Sequence, residues 1–241
     1  MRIPRFYQAE IFAVGDTVAL SEENFRHAVK VMRLNVDEPI IMFNGVAGEY
    51  TARIANVAKR NAEISIESYD DIDRESPLNI TLVLALIKPD KMDFAIQKAV
   101  ELGVNNIQPV ITERSVVKLK AERMKKKIQH WQGIIIAACE QSGRTAIPTI
   151  QTVANVDDYL QQPTAATRIT MLPTSHKSVA DISPAQNMEL LVGPEGGFTD
   201  AEEAMFVNQQ IQIINFGPRI LRAETAVIAG LTTLQHLHGD V

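Results

Sequence analysis

The sequence predicts a parallel α/β fold that follows a small β-rich unit. Two observations lead to this fold class. After residue 78, short apolar runs alternate with helical patterns, which is typical of a parallel sheet with helices on both faces. Before residue 75, strand-like runs follow one another with Asn-Gly and Arg-Asn turns between them. We therefore expect two domains, at residues 1–74 and 75–241.

The β-rich unit is predicted to contain one helix and three strands. Apolar residues at helical spacing predict a helix at 21–34, for which Ser21 is a suitable N-cap. The predicted strands are 39–45, 48–57 and 61–69. An acidic stretch at 70–77, which includes Glu75, is typical of a solvated linker.

The second domain is predicted to alternate strands and helices. Residues 79–87, NITLVLALI, are almost all apolar, as a strand buried on both faces requires. The other predicted strands are 106–111, 166–172, 188–193 and 212–217, and the predicted helices are 90–103, 120–141, 199–209 and 224–238. Ligands of an open α/β sheet bind beyond the carboxyl ends of its strands, so a site is expected there.

The composition excludes several classes of protein. Of the 241 residues, 46% are hydrophobic and 22% are charged, which indicates a folded globular protein. The net charge of −5 argues against a protein that coats nucleic acid nonspecifically. The single cysteine, Cys139, excludes an intrachain disulfide, and the five histidines lack the spacing of a zinc site. We expect no metal.

The first ten residues, MRIPRFYQAE, lack the apolar core of a signal peptide. No apolar run approaches the length that spans a membrane. The sequence therefore predicts a cytoplasmic protein that does not enter a membrane.

A glycine-rich stretch, GPEGGF at 193–198, follows one predicted strand. Glycines at such a turn let a ligand approach the backbone, and the usual ligand is a phosphate. The stretch lacks both the GxGxxG and the GxxxxGK[ST] pattern, and the acidic residues at 195, 200, 202 and 203 would repel a polyphosphate. A neutral or cationic small molecule fits better. The alternative is a tight turn before a helix with an acidic first turn, which is common.

Three predicted strand ends carry unusual residues, at 171–176, 193–198 and 216–226. In the third, Gly217-Pro218 forces a turn, and Arg219 and Arg222 follow it. Three such ends predict a shared pocket, lined largely by main chain, that recognises a cofactor.

Six motifs together resemble one protein family. They are HAVKVMR (27–33), KPDKMDFAIQKAVELG (88–103), TERS (112–115), EQSGR (140–144), GPEGGF (193–198) and FGPRILRAETA (216–226). In this order, and over nearly the whole chain, they resemble the bacterial small-subunit ribosomal RNA (uracil-N3)-methyltransferases of the SPOUT class. Met32 and Phe216 stand where that family usually has leucine, and both are conservative apolar changes.

The resemblance implies a fold that no topology rule would suggest, since true knots are nearly absent among proteins. It implies a SPOUT-type parallel sheet with a C-terminal trefoil knot, and a small N-terminal β-barrel similar to PUA and OB-like RNA-binding modules. S-adenosylmethionine would bind in the knot at the interface of a homodimer. The enzyme would methylate N3 of a specific uridine of 16S ribosomal RNA in the small ribosomal subunit.

The resemblance also implies which residues form the site. Residues expected to bind the cofactor are Leu172, Pro173, Gly193, Glu195, Gly196, Gly197, Phe216, Gly217, Ile220, Leu221, Arg222 and Thr225. Uracil N3 carries a proton, so methyl transfer needs that proton to leave and negative charge to be stabilised. Arg222 is the candidate that stabilises the uracil anion, and Glu195 and Glu224 are the candidate bases. The alternative for Glu224 is charge compensation at a helix N-terminus.

RNA contacts are expected from basic residues in both domains. The candidates are Arg5, His27, Lys30, Arg33, Lys88, Lys91 and Arg144. A basic run at 114–127 is a further phosphate-binding candidate, although such runs are usually a solvated helix face.

Three alternatives stay open at this point. A nucleotide-dependent kinase or dehydrogenase would need a phosphate or dinucleotide fingerprint, which the sequence lacks. A non-catalytic RNA-binding protein would have no need of the cofactor-like strand ends. The third alternative is a SPOUT methyltransferase that acts on another RNA.

Overall fold

The computed structural model describes residues 3–115 and 121–241. The chain forms two compact units. One consists of Met1–Glu75 with Cys139–Ile147, and the other consists of Ser76–Ala138 with Pro148–Val241. Residues 139–147, which lie far along the sequence, therefore belong to the first unit.

The first unit is built on a five-stranded sheet. Its strands are β1 (Arg5–Tyr7), β2 (Thr17–Ala19), β3 (Pro39–Phe43), β4 (Glu49–Val57) and β5 (Ala62–Asp70). The strand order is β1-β3-β4-β5-β2, and every pair is antiparallel except β1 with β3. Apolar side chains from the strands and the helix form one core, in which Phe6, Ile40 and Ile64 are fully buried. The two edge strands have three residues each, too few to show an alternating pattern in the sequence.

The helix of the first unit is shorter than the sequence predicts. Helix α1 (Glu22–Phe25) begins at Ser21, whose hydroxyl accepts the Asn24 N–H at 3.2 Å, as expected. From Arg26 to Val31 the chain continues as a π-helix, so the Met32 N–H donates to the carbonyl of His27, five residues earlier. Apolar spacing does not distinguish a π-turn from an α-turn over so few residues.

Residues 139–147 are attached to the rest of the first unit by the Arg144–Glu75 ion pair and by hydrogen bonds that Arg5 and Arg74 donate to the carbonyls of Cys139 and Gly143. Arg5 contacts Glu49 at 2.8 Å, and Arg74 contacts the same carboxylate at 3.1 Å. Arg144 pairs with Glu75, whose side chain is 17% exposed. The prediction that Glu75 lies in a solvated linker is therefore wrong, because Arg144 draws it into the unit. Burial alone would raise the pKa of Glu49, but hydrogen bonds and charges from Arg74 and Arg5 hold it below its usual value.

The second unit contains a seven-stranded sheet in which every pairing is parallel. Its strands are β6 (Asn79–Ala85), β7 (Asn106–Ile111), β8 (Thr149–Ile150), β9 (Ala154–Asn155), β10 (Thr167–Met171), β11 (Asn187–Val192) and β12 (Gln212–Ile214). The order is β12-β10-β11-β6-β7-β8, and β9 also pairs with β7. The chain runs outward in opposite directions from β6 and β11, which places a topological switch point between these two neighbours.

Five α-helices accompany this sheet in the part of the chain that the structure describes. They are α2 (Pro89–Glu101), α3 (Ala121–Ser142), α4 (Val156–Leu160), α5 (Asp200–Asn208) and α6 (Ala223–His238). Helix α2 begins with a proline at its first turn and buries Met92, Ile96 and Ala99. Helix α5 begins with a capping box, in which Thr199 and Glu202 bond each other's backbone N–H. Helix α6 packs on α2 and on β11.

Within the described ranges, no helix is both long enough and apolar enough to cross a bilayer. The parallel sheet of the second unit agrees with the prediction made from alternating strands and helices. The trefoil knot stays a prediction.

Candidate functional site

A cavity of about 710 Å³ lies in the second unit, at the carboxyl ends of β10, β11 and β12. The segments 171–173, 191–198 and 216–224 line it. Lys88 and Lys91, which follow β6, and Arg114, which follows β7, also line it, together with Glu203 and Ala226. The structure thus brings together the three strand ends that the sequence singled out, at the switch point where open α/β sheets bind ligands.

Most of the predicted site residues line this cavity. They are Leu172, Pro173, Gly193, Glu195, Gly196, Gly197, Phe216, Gly217, Ile220, Leu221, Arg222 and Glu224. Thr225 does not line it and is exposed on the first turn of α6. Arg114, Phe198 and Glu203 also line the cavity, although they were not among the predicted site residues. The signal that could have found Arg114 is the TERS motif directly after β7.

The glycines of the 193–198 loop are required by the shape of its backbone. Gly197 donates its N–H to the Pro194 carbonyl at 2.9 Å and has a φ of 69°, which glycine adopts without strain. A Cβ on Gly193 would lie 2.9 Å from the Phe198 ring, closer than real Cβ atoms approach a carbon. The loop therefore presents main chain to the cavity.

Glu195 connects the ends of two neighbouring strands. Its Oε1 accepts the backbone N–H of Lys88 at 3.1 Å. Glu195 belongs to the loop after β11 and Lys88 to the loop after β6, so this hydrogen bond joins the two sides of the switch point. Glu195 is otherwise exposed at the cavity.

Glu224 and Lys91 form an ion pair in the cavity wall. The Lys91 Nζ lies 3.2 Å from Oε1 of Glu224, whose side chain is 11% exposed. Glu224 also stands in the first turn of α6, where a negative charge is favoured by the helix dipole. Its carboxylate is therefore already engaged by two positive partners.

Arg222 is the N-cap of α6, and its extended backbone leaves its side chain exposed at the cavity. Its carbonyl accepts the Ala226 N–H at 2.8 Å. Within the described residues, its guanidinium has no hydrogen bond or ion pair, and the same holds for Arg219. Among the described residues Glu195 does not pair with Arg222, and its Oε1 accepts the backbone N–H of Lys88.

The charge of the cavity differs from the expectation that it would repel phosphate. Five basic and three acidic side chains line it. Glu202 is buried in the capping box, and Asp200 is exposed outside the lining. Acidic residues close in the sequence therefore do not describe the charge of the cavity, whose lining has more basic than acidic side chains.

The predicted RNA contacts separate into three groups. Arg5 and Arg144 are buried and ion-paired with Glu49 and Glu75, so their guanidinium groups hold the first unit together instead of facing a solvent-borne RNA. His27, Lys30 and Arg33 are exposed on or directly after the π-helix. Lys88 and Lys91 line the cavity. Part of the basic run, at 116–120, lies outside the described residues.

Residues 3–115 and 121–241 contain no cluster of three or more histidine, cysteine, aspartate or glutamate side chains placed to hold a metal ion.

Two known domain families match this chain, each in a different part of the sequence. The RNA methyltransferase domain family matches residues 74–235, and the RNA methyltransferase PUA domain family matches residues 20–67. Curated relatives extend the similarity over the full length. A Buchnera aphidicola protein named ribosomal RNA small subunit methyltransferase E is 34% identical over 100% of this chain and 98% of its own length. The chain belongs to the ribosomal RNA small subunit methyltransferase E family.

Other members of the family support this assignment. The Bacillus subtilis ribosomal RNA small subunit methyltransferase E is 30% identical over 93% of each chain. The Neisseria gonorrhoeae member, crystallised with bound S-adenosylmethionine, is 41% identical, with a TM-score of 0.92 over 99% of each chain. A Legionella pneumophila protein, also solved with this cofactor, is 37% identical, with a TM-score of 0.97 over 100% of each chain. The predicted resemblance is confirmed, and so is the predicted fold class apart from the knot.

Proposed function

We propose that this protein is an S-adenosylmethionine-dependent methyltransferase that acts on N3 of a uridine in small-subunit ribosomal RNA. One observation carries the proposal. The three strand ends after β10, β11 and β12 form one cavity, in a chain 41% identical over 99% of its length to a ribosomal RNA small subunit methyltransferase E that holds S-adenosylmethionine. Because ribosomal RNA is the substrate, we place the enzyme in the cytoplasm.

The cavity fits the cofactor in size and in the nature of its wall. Its volume of about 710 Å³ lies within the usual range for ligand sites. The glycine loop offers backbone at a position where a Cβ on Gly193 would collide with Phe198. S-adenosylmethionine, when bound, supplies a methyl group activated by a sulfonium centre. The reaction forms the bond from N3 to the methyl carbon, breaks the bond from that carbon to sulfur, and releases the N3 proton.

We propose that Arg222 stabilises the charge that develops on the uracil. Its guanidinium is exposed at the cavity and is not engaged by a described carboxylate. A guanidinium that donates to a uracil carbonyl oxygen favours the anion over the neutral base, as an oxyanion site does. Positioning of N3 in line with the methyl group supplies much of the remaining acceleration.

Of the two candidate bases, Glu195 is the better placed to accept the N3 proton. Glu224 is nearly buried and paired with Lys91, whereas Glu195 is exposed at the cavity and accepts one backbone N–H. We propose Glu195 as the base and Glu224 as the residue that holds Lys91. A Glu195→Gln variant that transfers methyl at an unchanged rate at every pH would contradict this assignment.

The test of the function is a methylation assay on ribosomal RNA. Small subunits from a strain that lacks the enzyme are incubated with the protein and labelled S-adenosylmethionine, and the modified base is mapped. One labelled 3-methyluridine in the small-subunit RNA is expected. Labelling of transfer RNA or large-subunit RNA would instead favour a methyltransferase with another RNA substrate. Cofactor binding without labelling of any RNA would contradict the proposal.

We further propose that the enzyme is a homodimer. Helix α6 carries half-buried Ile228, Ala229 and Thr232, and the loop before it exposes Ile220 to 87%. Large exposed apolar side chains beside a ligand cavity are typical of a protein interface. Leu231 of the same helix is fully buried within its own unit and contributes to the core.

A further inference from the structure

Arg114 connects the loop after β7 to the glycine loop after β11. Its Nη1 donates to the Gly196 carbonyl at 3.0 Å and to the Phe198 carbonyl at 2.8 Å. The Cβ that a side chain at Gly196 would add lies 3.3 Å from the Arg114 Cβ, so the glycine admits this close approach. One side chain thus holds two carbonyls of the loop that lines the cavity.

The segment that carries Arg114 is itself a fixed turn. Thr112 donates its N–H to the Ser115 hydroxyl, and Ser115 donates its N–H to the Thr112 carbonyl, both at 3.1 Å. Both residues are buried. The Glu113 N–H donates to Oε1 of the buried Glu202 at 3.0 Å, which ties the same turn to the first turn of α5. Arg114 therefore projects from a rigid base.

The two hydrogen bonds of Arg114 determine which way the loop peptides face. In a trans peptide the carbonyl and the N–H point in opposite directions, so a carbonyl held on one side fixes the N–H on the other. The peptide that joins Gly196 to Gly197 is held by Arg114 at its carbonyl and by the Pro194 carbonyl at its N–H. Glycine would otherwise have the most backbone freedom of any residue.

We propose that Arg114 is a positioning residue for methyl transfer, which holds the 193–198 loop in the form that receives S-adenosylmethionine. This inference rests on the proposed function. Both hydrogen bonds come from one nitrogen, so the planar fork of arginine is not used. A lysine ammonium, which has three donors, can make the same two contacts, although its side chain is shorter.

The experiment measures cofactor binding and methyl transfer separately on the full-length protein. Calorimetry without RNA gives the dissociation constant of S-adenosylmethionine for the wild type, Arg114→Ala and Arg114→Lys. Single-turnover methylation at saturating cofactor gives the rate of transfer. Arg60→Ala is the matched control, because it removes an exposed arginine from the first unit. Thermal unfolding of each variant reports whether the fold is retained.

We expect Arg114→Ala to weaken cofactor binding by about tenfold, as the loss of a charge-assisted hydrogen bond does. We expect its transfer rate to fall by a further factor of about ten, because the loop no longer fixes the reacting geometry. Arg114→Lys should recover a large part of both losses, and Arg60→Ala should resemble the wild type.

Three results would overturn the inference. Wild-type binding and transfer in Arg114→Ala would mean that the loop keeps its form unaided. A lysine variant as impaired as the alanine variant would indicate that arginine contacts substrate through its fork. A wild type that does not bind S-adenosylmethionine would refute the proposed function together with this inference. If Arg114→Ala does not fold, Arg114→Lys and Glu202→Gln, which loosens the same turn from α5, decide the question by the same measurements.

Discussion

Arg222 shows how an exposed side chain can be assigned a role by what it does not contact. Two accounts compete for it: stabilisation of the uracil anion, and pairing with Glu195 to hold the loop closed. Within the described residues Arg222 forms no ion pair with Glu195, and this favours the first account. The two accounts predict different effects of an Arg222 substitution on the rate of methyl transfer.

We predict that Arg222→Ala lowers kcat by roughly 10²–10³, the range seen when one oxyanion donor is removed. The affinity for S-adenosylmethionine should change by less than about tenfold. The measurement is the cofactor dissociation constant and the single-turnover rate on the same variant. Arg219→Ala, which removes the other exposed arginine of this loop, should reduce the rate much less. Equal losses of binding and turnover in Arg222→Ala would leave a structural role only.

A second residue-scale prediction concerns the buried carboxylate of Glu49. Burial raises the pKa of Glu49, but Arg74 and Arg5 lower it by more, so the pKa in the folded protein lies below the usual 4.5. A group with a depressed folded pKa stabilises the protein above its unfolded pKa, and this stabilisation is lost as the pH falls through the folded pKa. Glu49→Gln should therefore lower the free energy of unfolding at pH 7 by about 2 kcal/mol, as expected for the loss of hydrogen bonds to a charged group.

The difference between wild type and Glu49→Gln should shrink as the pH is lowered below 4.5, which denaturant titrations over a pH series would measure. The matched control is Glu67→Gln, because Glu67 and Arg53 form a pair whose side chains are 39% and 45% exposed. Glu67→Gln should change the free energy of unfolding by less than about 0.5 kcal/mol. If the difference in the free energy of unfolding between the wild type and Glu49→Gln did not depend on pH, the stabilisation by Glu49 would come from packing and not from its charge.

At the scale of elements, helix α6 illustrates a conflict between propensity and packing. Gly230 stands in the helix interior, where alanine is favoured by about 1 kcal/mol. A Cβ at this position would lie 2.8 Å from Leu190 Cδ2 and 3.0 Å from Met171 Cε. The glycine therefore allows α6 to lie close to β10 and β11.

We predict that Gly230→Ala lowers the free energy of unfolding by about 1 kcal/mol, because overpacking of 1–3 kcal/mol exceeds the gain in helix propensity. Gly133→Ala in α3 is the control, since its Cβ would meet no described atom within 4 Å. That change should stabilise the protein by up to about 1 kcal/mol. Thermal or denaturant unfolding measures both, and a stabilised Gly230→Ala would show that Leu190 yields to the new methyl group.

The elements that were predicted well from the sequence are long enough for the apolar periodicity of a helix or a strand to repeat. Strand 106–111 has the predicted bounds, and α2 and α6 differ from prediction by two residues or fewer at each end. The missed elements, β1, β2, β8, β9 and α4, have two to five residues, fewer than a period needs to show. In the site, the loops after β10, β11 and β12 were visible as glycine and proline signals. The contacts of Arg114 with the glycine loop could not be predicted from the sequence, because they depend on which strand ends are neighbours in the sheet.

At the scale of the whole molecule, the assembly state is the proposal with the clearest measurement. We expect a homodimer whose interface buries on the order of 1,600 Å² in total. Exposed apolar residues such as Ile220 and Val207 would lose solvent contact in it. Light scattering at micromolar concentration should give twice the mass of the 26.7 kDa chain. A fully active monomer would contradict the dimer.

The membership of residues 139–147 in the first unit has a consequence for the order of events during synthesis. When residues 1–75 leave the ribosome, Arg144 has not yet been synthesised, so its guanidinium cannot pair with Glu75. Translation at 5–20 residues per second leaves a wait on the order of ten seconds before the missing segment appears. During that wait Glu75 and the groups that bond the missing segment face water. The unit made first is therefore completed late, and a fragment cut at residue 75 would have to fold without a piece of its own interior.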